Sequence, residues 1–550
     1  MPGSKPSFPS LYRPMNNNHE SSALQAHLDH PNPPPNFRIS EKSAVKECFW
    51  IDLFYRYSIC KPMSARLPLL HKTPFVLDAR PLHEATSPHA GLLCISRVFR
   101  SLGLPSLVAA NLALRKRQRG FTEAQLIESM VLLQCVGGEC PEDMHLLSKD
   151  GCLERGLGYA PPKATAVREF LERFHDKELE KLRPERQVQK SFIFPSSLPV
   201  AALQEVQRGC VRRIAKLYEK QGQPQRIATI DQDATIIESH KQAAYHHYEQ
   251  GRGYQPMVAV WAEADLVVAD EFRDGNVPAK QAPLTCAKLA FAALPETITQ
   301  RYFRGDSACH EKELLEWLKH PDRGQEPGGG IGFAISAVMS QPLASALRKI
   351  KEADWTTFGK EDDGTLRQWA EVDFVPAEEY ERKDSQPLRY VGLRLLKAQG
   401  VLFGDGTDRH FHAVITNQKI EGGRLLDWHR EKAGTVEHVH DEVKNELGGG
   451  HLPSQRFGVN SAWFKVSLLT YNLVSAIKGL CLGAEERRAR MKKFRLLLIH
   501  VAGRMNRNNC VMGLRLCHNT EALKRMQKVW EVFELPTQAT SAKALGGRGG

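Results

Sequence analysis

The sequence lacks closely paired cysteines. Its twelve cysteines include no CxxC pair, and the shortest spacing separates Cys135 from Cys140. Because structural zinc sites use Cys or His ligands paired at short spacing, this absence argues against a zinc protein. No secretory leader is recognisable, so scattered cysteines of this kind indicate reduced thiols rather than a disulfide framework.

The sequence also lacks a long apolar run and an excess of acidic charge. No run approaches the roughly 20 apolar residues that span a bilayer, so we expect a cytoplasmic protein without a membrane partner. Lysine and arginine (75) outnumber aspartate and glutamate (63), which gives a net charge of +12. A basic chain favours a polyanionic partner, with nucleic acid first among the candidates. The hydrophobic fraction of 42% excludes global disorder.

The first 84 residues differ in composition from the rest. The stretches PSFPSLYRPMNNN and DHPNPPPNF are rich in Pro, Ser and Asn, and such a composition cannot offset the entropy lost on ordering. We predict that residues 1–84 are a disordered or spurious N-terminal extension, and a translation start at Met63 would account for the second alternative. From 85 to 222, apolar residues recur at helical spacing, which predicts a helical region.

The remaining pattern predicts a mixed α/β fold with an inserted β-rich segment. Strand-like and helical segments alternate from 223 to 351, as expected for a sheet covered by helices. Residues 352–425 partly alternate in polarity and are rich in Val, Tyr and Phe, which predicts an antiparallel β insertion. Helical patterns return over 426–512, where Trp463 and Tyr471 are predicted core residues. Residues 513–550 are predicted to form a C-terminal helix and a flexible tail.

Acidic residues stand at three notable positions in this pattern. Asp231 and Asp233 lie two residues apart in a strand-like run, so both carboxylates point to one face. Asp306 ends another strand, and such strand ends are where ligands gather in open α/β sheets. Glu437 lies in a helical segment seven residues before Lys444. Carboxylates are the ligands that Mg²⁺ prefers, yet an isolated acidic residue is usually only an exposed polar group. From residue type and spacing alone, both readings stay open.

Separated motifs carry a family resemblance. In chain order, the segments IDQDATIIESHKQAAYHHYEQGRGYQP, ADEFRDGNVPA, YFRGDSA and TVEHVHDEVKNELGGG resemble those of DDE transposases of the insertion-sequence 1380 family, which is related to the insertion-sequence 4 group. The resemblance extends over about residues 85–510. It implies a ribonuclease-H-like core in two parts, 223–351 and 426–512, interrupted by the β-rich insertion 352–425 and preceded by a helical DNA-binding or dimerisation region, 85–222.

The resemblance also implies site residues and a cofactor. The family's first aspartate precedes a small residue and Thr, as Asp233 does, and its second lies in an RGDS motif, as Asp306 does. The third acid precedes a Lys by seven positions, which matches Glu437 and Lys444, and Lys444 is expected to contact a DNA phosphate. These three acids are the implied catalytic residues and the ligands of two Mg²⁺ ions, with Mn²⁺ as a substitute.

Other residues are assigned around this implied triad. Asp231 is expected to support the metal ligands without being one of them. The arginine that the related group has four positions before the glutamate is replaced by Ala433, so Arg430 and Lys432 are both candidates for that basic DNA contact. Arg456 is a further candidate for a DNA backbone contact. Arg304, just before Asp306, fits either a phosphate contact or a position at the sheet edge.

The implied activity is DNA transposition. The enzyme is expected to bind the terminal inverted repeats of its insertion sequence, cleave the DNA ends and transfer the strand into target DNA. Its expected partners are double-stranded DNA, at both transposon ends and target, and a second copy of itself. It is expected to associate with the bacterial nucleoid when bound to DNA. The alternative is a catalytically inactive, transposase-derived DNA-binding protein.

Overall fold

The computed structural model of the protein describes residues 85–114, 119–185, 190–321, 329–376, 387–508, 511–517 and 520–535. The predicted N-terminal extension and most of the predicted C-terminal tail lie outside these ranges. The described strands, in chain order, are β1 Thr86–Ser87, β2 Ile227–Ala234, β3 Ile237–Glu238, β4 Tyr245–His246, β5 Arg252–Tyr254, β6 Met257–Trp261, β7 Leu266–Glu271, β8 Gln300–Gly305, β9 Gly332–Ser336, β10 Thr356–Lys360, β11 Leu366–Val372, β12 Arg389–Leu396, β13 Arg409–Thr416, β14 Gly503–Asn508 and β15 Val511–Leu516.

Helices of the described ranges surround these strands. They are α1 Leu92–Ser101, α2 Leu104–Asn111, α3 Glu123–Val136, α4 His145–Ser148, α5 Gly151–Leu157, α6 Ala164–Leu171, α7 Lys177–Glu180, α8 Leu198–Lys220, α9 Pro283–Ala293, α10 Lys312–Lys319, α11 Gln341–Lys349, α12 Gly422–Arg430, α13 Val436–Glu446, α14 Phe457–Cys481, α15 Ala484–Arg487, α16 Met491–Phe494 and α17 Thr520–Val532. Short 3₁₀ turns at Ser307–Cys309 and Glu431–Gly434 lie beside the acidic residues.

A nine-stranded mixed sheet forms the centre of the fold. Five of its strands have the order β7–β6–β2–β8–β9. The strand β2 pairs antiparallel with β6, which pairs antiparallel with β7, whereas β2–β8 and β8–β9 are parallel. A three-stranded meander extended by two parallel strands is the ribonuclease-H-like arrangement, which confirms the predicted fold class.

The β-rich insertion continues the same sheet. Strands β10 to β13 pair antiparallel with their neighbours, and β13 pairs antiparallel with β9 at the edge of the core. At that junction, the Thr416 hydroxyl donates to the carbonyl of Phe333 at 2.6 Å. The predicted antiparallel insertion is therefore present, and it shares the main-chain hydrogen bonding of the core sheet.

The long helix α14 joins the helical region to the sheet. Nearly all of its residues are buried, and Trp463 and Tyr471 are core residues as predicted. Its buried polar side chains are paired: Asn472 exchanges two hydrogen bonds with the backbone of Val267 in β7, and Thr470 donates to Gln134 in α3 at 2.9 Å. Because buried polar groups are costly when unpaired, these bonds fix the register of α14 against both layers.

The described helices differ in length and apolarity, the two properties that a membrane span requires. No single helix among them meets both requirements. The bent pair α1 and α2 meets them only when the two helices are taken together. In this structure the pair contributes buried core residues, among them Leu92, Ile95 and Phe99.

Candidate active site

The parallel pairing of β2 with β8 brings the aspartates together. Asp231 lies opposite Arg304, and Gln232 lies opposite Gly305, which is the last pair of the ladder. Because side chains alternate along a strand, Asp231 and Asp233 share a face. Asp306 follows Gly305 directly, so it stands level with Asp233 at the carboxyl ends of both strands. This is the edge of an α/β sheet at which ligands bind.

Asp231 is completely buried and fully engaged. Arg304 donates Nε to its Oδ1 at 2.6 Å and Nη2 to its Oδ2 at 2.8 Å. The hydroxyl of Thr435 also donates to Oδ2. A buried carboxylate is stable only when it is paired in this way. Asp231 therefore supports the site beside Asp233, and both of its oxygens are already bonded.

Arg304 connects the two strands to the segment before α13. Its side chain is 2% exposed and lies over the ring of Trp428, 5.2 Å from the ring centroid. It also donates to the carbonyl of Trp428 and, at 3.0 Å, to Glu431. Asp231, Arg304 and Thr435 thus form a clamp that joins β2, β8 and the residue preceding α13.

Glu437 lies in the first turn of α13, immediately after this clamp. Its side chain is 48% exposed, unlike that of Asp231. The free amide groups of a helix N-terminus favour a carboxylate at this position. The rest of α13 packs against β2, β6 and α14. The glutamate helix therefore presents its first turn to the edge where β2 and β8 end.

Lys432 lies between the acids. Its ammonium is 3.3 Å from Oδ2 of Asp233 and 4.0 Å from Oε1 of Glu437, and its side chain is 9% exposed. Asp233 also accepts a hydrogen bond from the backbone of Ala234 at 2.8 Å, while Asp306 caps the following turn by accepting one from Ala308 at 3.1 Å. Both aspartates are thereby held in fixed orientations.

Electrostatic coupling links all four groups. Burial, followed by the neighbouring charge of Asp233, raises the pKa of Asp306 to about 6 against the opposing effect of Lys432. Burial lowers the pKa of Lys432, but Asp233, Asp306 and Glu437 outweigh that effect, and the net shift is upward. Asp233 therefore acts on Asp306, and all three acids that the resemblance implied act on a single ammonium.

The donor atoms of Asp233, Asp306 and Glu437 determine whether a divalent cation fits this site. Within the described ranges, no three Asp, Glu, His or Cys side chains are already placed to hold a metal ion. The donors nevertheless suit Mg²⁺, because Asp233, Asp306 and Glu437 offer only carboxylate oxygens. The repulsion between Asp233 and Asp306, together with the ammonium of Lys432 beside them, indicates a position that favours positive charge.

Two histidines adjoin the aspartates, the half-buried His429 and the buried His440. Burial lowers the pKa of His429 to about 4, and its Nε2 is 3.0 Å from the carbonyl of Gly305. Burial likewise lowers the pKa of His440 to about 4, and His440 is hydrogen-bonded to the backbone of Asp233. Both imidazoles are neutral supports of the strand ends. His429 is not among the site residues predicted from the sequence. Its position eight residues before Glu437 was the signal that could have identified it.

The family is shown by sequence. A family model described as Transposase DDE domain group 1 matches residues 83–536. The chain belongs to this family of DDE transposases. A structural match is the cryo-EM structure of piggyBac transposase in a synaptic complex with hairpin DNA, with 11% identity, a TM-score of 0.38, and coverage of 82% of this chain and 84% of that one. Among curated proteins, none matches the sequence.

In the transposase, the basic residues that are expected to contact DNA have partners within the protein. Lys444 donates to Thr235 Oγ1 at 3.2 Å and to the carbonyl of Ile236 at 2.9 Å, so it ties α13 to the segment after Asp233. Arg430 is paired with Glu361 of the insertion, and Arg456 with Glu172. The Arg430 and Arg456 side chains are about half exposed at 56% and 48%, respectively. These two pairs therefore lie at the surface.

Proposed function

We propose that this transposase is a member of the insertion-sequence 1380 family that binds the terminal inverted repeats of its element. It would cleave the DNA ends and transfer them into target DNA, with Asp233, Asp306 and Glu437 as catalytic residues. One observation carries the proposal: Asp233 and Asp306 stand at the ends of two parallel strands, and together with Glu437 they act on one buried ammonium. Such a position favours cations and suits phosphoryl transfer.

Asp233, Asp306 and Glu437 would hold two Mg²⁺ ions, or Mn²⁺ in their place. When bound, the ions supply charge neutralisation at the reacting phosphate and activate the attacking oxygen. The clamp of Asp231, Arg304 and Thr435 keeps the three acids in register without taking part in the chemistry. This role is supported by the two hydrogen bonds that Arg304 donates to Asp231 and by the one that the Thr435 hydroxyl donates to Asp231.

Double-stranded DNA is the proposed partner, as transposon end and as target. Arg430 and Arg456 would contact its phosphates by exchanging their surface carboxylates for DNA. Exposed ion pairs contribute only about 0–1 kcal/mol, so this exchange has a low cost. Lys444 would contribute charge on the face of α13 that it shares with Glu437.

The roles proposed for the other regions follow from their positions in the chain. Residues 85–222 would recognise the terminal repeats or form the dimer interface, since joining two DNA ends calls for at least two copies of the enzyme. Residues 223–351 and 426–512 would form the catalytic core around the insertion 352–425. Bound to DNA, the protein would be associated with the nucleoid.

End cleavage by the wild-type protein tests this function. Labelled DNA that carries the element's inverted repeat is incubated with the full chain in Mg²⁺ or in EDTA, and binding is followed by gel shift. The proposal expects a specific nick at the end of the repeat in Mg²⁺ and none in EDTA. Binding without cleavage in Mg²⁺ and in Mn²⁺ would instead support the alternative, a catalytically inactive DNA-binding protein.

A further inference from the structure

Lys432 occupies a position unlike that of a surface basic residue. It lies in the 3₁₀ turn Glu431–Gly434 that leads into α13, and the residue is only 7% exposed. Its ammonium reaches Asp233 at 3.3 Å and Glu437 at 4.0 Å. The charge of Asp306 acts on it as well. A single lysine therefore lies close to Asp233 and Glu437 and is also affected by the charge of Asp306, so it interacts with every proposed metal ligand.

The burial of this ammonium is costly without negative partners. A lysine carries a compact, strongly hydrated charge, and taking it out of water costs several kcal/mol unless carboxylates compensate. The carboxylates benefit in turn, because Asp233 and Asp306 repel each other at the ends of adjacent strands. In the protein without metal, Lys432 thus supplies the positive charge that lets the acids lie together.

The backbone of this turn is anchored independently of the Lys432 side chain. The amide of Thr435 donates to the carbonyl of Lys432 at 3.2 Å, and the hydroxyl of Thr435 is held by Asp231. The neighbouring Ala433 and Gly434 are exposed. The long side chain of Lys432 can therefore rotate outwards while the main chain keeps α13 in place.

We propose that Lys432 is a built-in counter-ion of the carboxylate cluster, which a divalent cation displaces when it binds. The inference rests on the proposed function only through the assignment of Asp233, Asp306 and Glu437 as metal ligands. Two divalent ions already carry more positive charge than three carboxylates can neutralise, so an ammonium beside them is repelled and leaves. Once outside, it is available to a DNA phosphate, the role considered for this basic position from the sequence.

Metal affinity without DNA tests this displacement. The full chain is titrated with Mn²⁺ and free Mn²⁺ is measured by electron paramagnetic resonance. In the wild type, metal binding must first separate the ammonium from its carboxylate partners, a cost that the Met variant does not carry. Lys432→Met should therefore bind Mn²⁺ at least about tenfold more tightly than wild type. Lys419→Met, an exposed position with the same change of net charge, should leave the affinity unchanged.

A second measurement uses only the wild-type chain, in case Lys432→Met does not fold. Reductive methylation followed by mass spectrometry reports how accessible each lysine is. Lys432 should be protected in EDTA and become reactive in Mg²⁺, whereas Lys419 should react equally in both. Equal protection of Lys432 in both conditions would overturn the inference.

The two proposals can fail separately. Unchanged or weaker Mn²⁺ binding by folded Lys432→Met, with binding lost in Asp233→Asn, overturns the counter-ion and leaves the metal site standing. No Mn²⁺ binding by wild type or variant overturns both the counter-ion and the metal-dependent function. Tighter binding by Lys432→Met in a protein that never cleaves terminal DNA supports the counter-ion and contradicts the transposition activity.

Discussion

Asp231 and Asp233 are two residues apart on one strand and have different partners. Asp231 is buried and bonded through both oxygens to Arg304 and Thr435. Asp233 lies at the strand end, close to the ammonium of Lys432. Strand alternation predicts that the two share a face, but it cannot tell which one a distant arginine will neutralise. That distinction depends on the register between β2 and β8.

The two aspartates should respond oppositely to amide substitution. Asp231→Asn leaves the buried Arg304 without its charged partner, and breaking a buried ion pair costs about 3–5 kcal/mol of unfolding free energy. Asp233→Asn should lower stability less, because the ammonium of Lys432 keeps Asp306 and Glu437 as partners and the repulsion with Asp306 is relieved, but it should abolish end cleavage. Urea unfolding and cleavage assays on both variants check this. An Asp233→Asn protein that cleaves better than Asp231→Asn would exchange their roles.

His429 gives stability a pH dependence. Its pKa is lowered to about 4 by burial in the folded protein, against about 6.5 when unfolded. Between these values the unfolded chain binds more protons, so stability is present above pH 6.5 and is lost as pH falls to 4. The full contribution is about 3 kcal/mol. Denaturant unfolding from pH 7 to 4 should show a smaller decline in His429→Gln, and an identical decline would contradict this assignment.

At the scale of elements, α13 is positioned from both ends. Its start follows the clamp at Thr435, and farther along it Glu442 forms a buried pair with Lys478 of α14 at 2.9 Å. Glu442 is 1% exposed, and His438 lies 3.3 Å from its other oxygen. The helical pattern and the motif around Glu437 were readable in the sequence. The partner of Glu442 was not, because it lies 36 residues away on another helix.

The Glu442–Lys478 pair should hold the glutamate helix in place. Lys478→Met leaves the buried carboxylate of Glu442 without its lysine partner, with His438 alone beside it, and should lower the unfolding free energy by about 3–5 kcal/mol. Glu442→Gln combined with Lys478→Met removes both charges and should recover much of that loss. A double-mutant cycle from urea unfolding measures the coupling. Additive losses would show that the pair does not couple α13 to α14.

At the scale of the whole molecule, local pattern predicted the kinds of element but not all of their connections. The α/β core, the β-rich insertion and the buried face of α14 followed from periodicity and from the family resemblance. That β13 joins β9, so that the insertion extends the core sheet, depends on pairing between strands about 80 residues apart. The same holds for β1, which pairs with β14 across most of the chain.

The long-range pairings explain why the site could be only partly predicted. The motifs shared with the family identified Asp233, Asp306 and Glu437. The parallel register of β2 and β8 then brings the two aspartates level. Sequence suggested that Lys432 contacts DNA, yet the folded turn directs its ammonium between the acids. Side-chain direction in a short 3₁₀ turn depends on the elements packed around it, and the sequence does not encode that locally.

End cleavage by three single variants tests the central claim most directly. Labelled DNA with the terminal repeat is incubated in Mg²⁺ with wild type, Asp233→Ala, Asp306→Ala or Glu437→Ala, and gel shift verifies that each variant still binds the end. We predict a specific nick with wild type and loss of cleavage by at least about a thousandfold with each variant, while binding is retained. Cleavage at the wild-type rate by any one of the three would contradict the proposed active site.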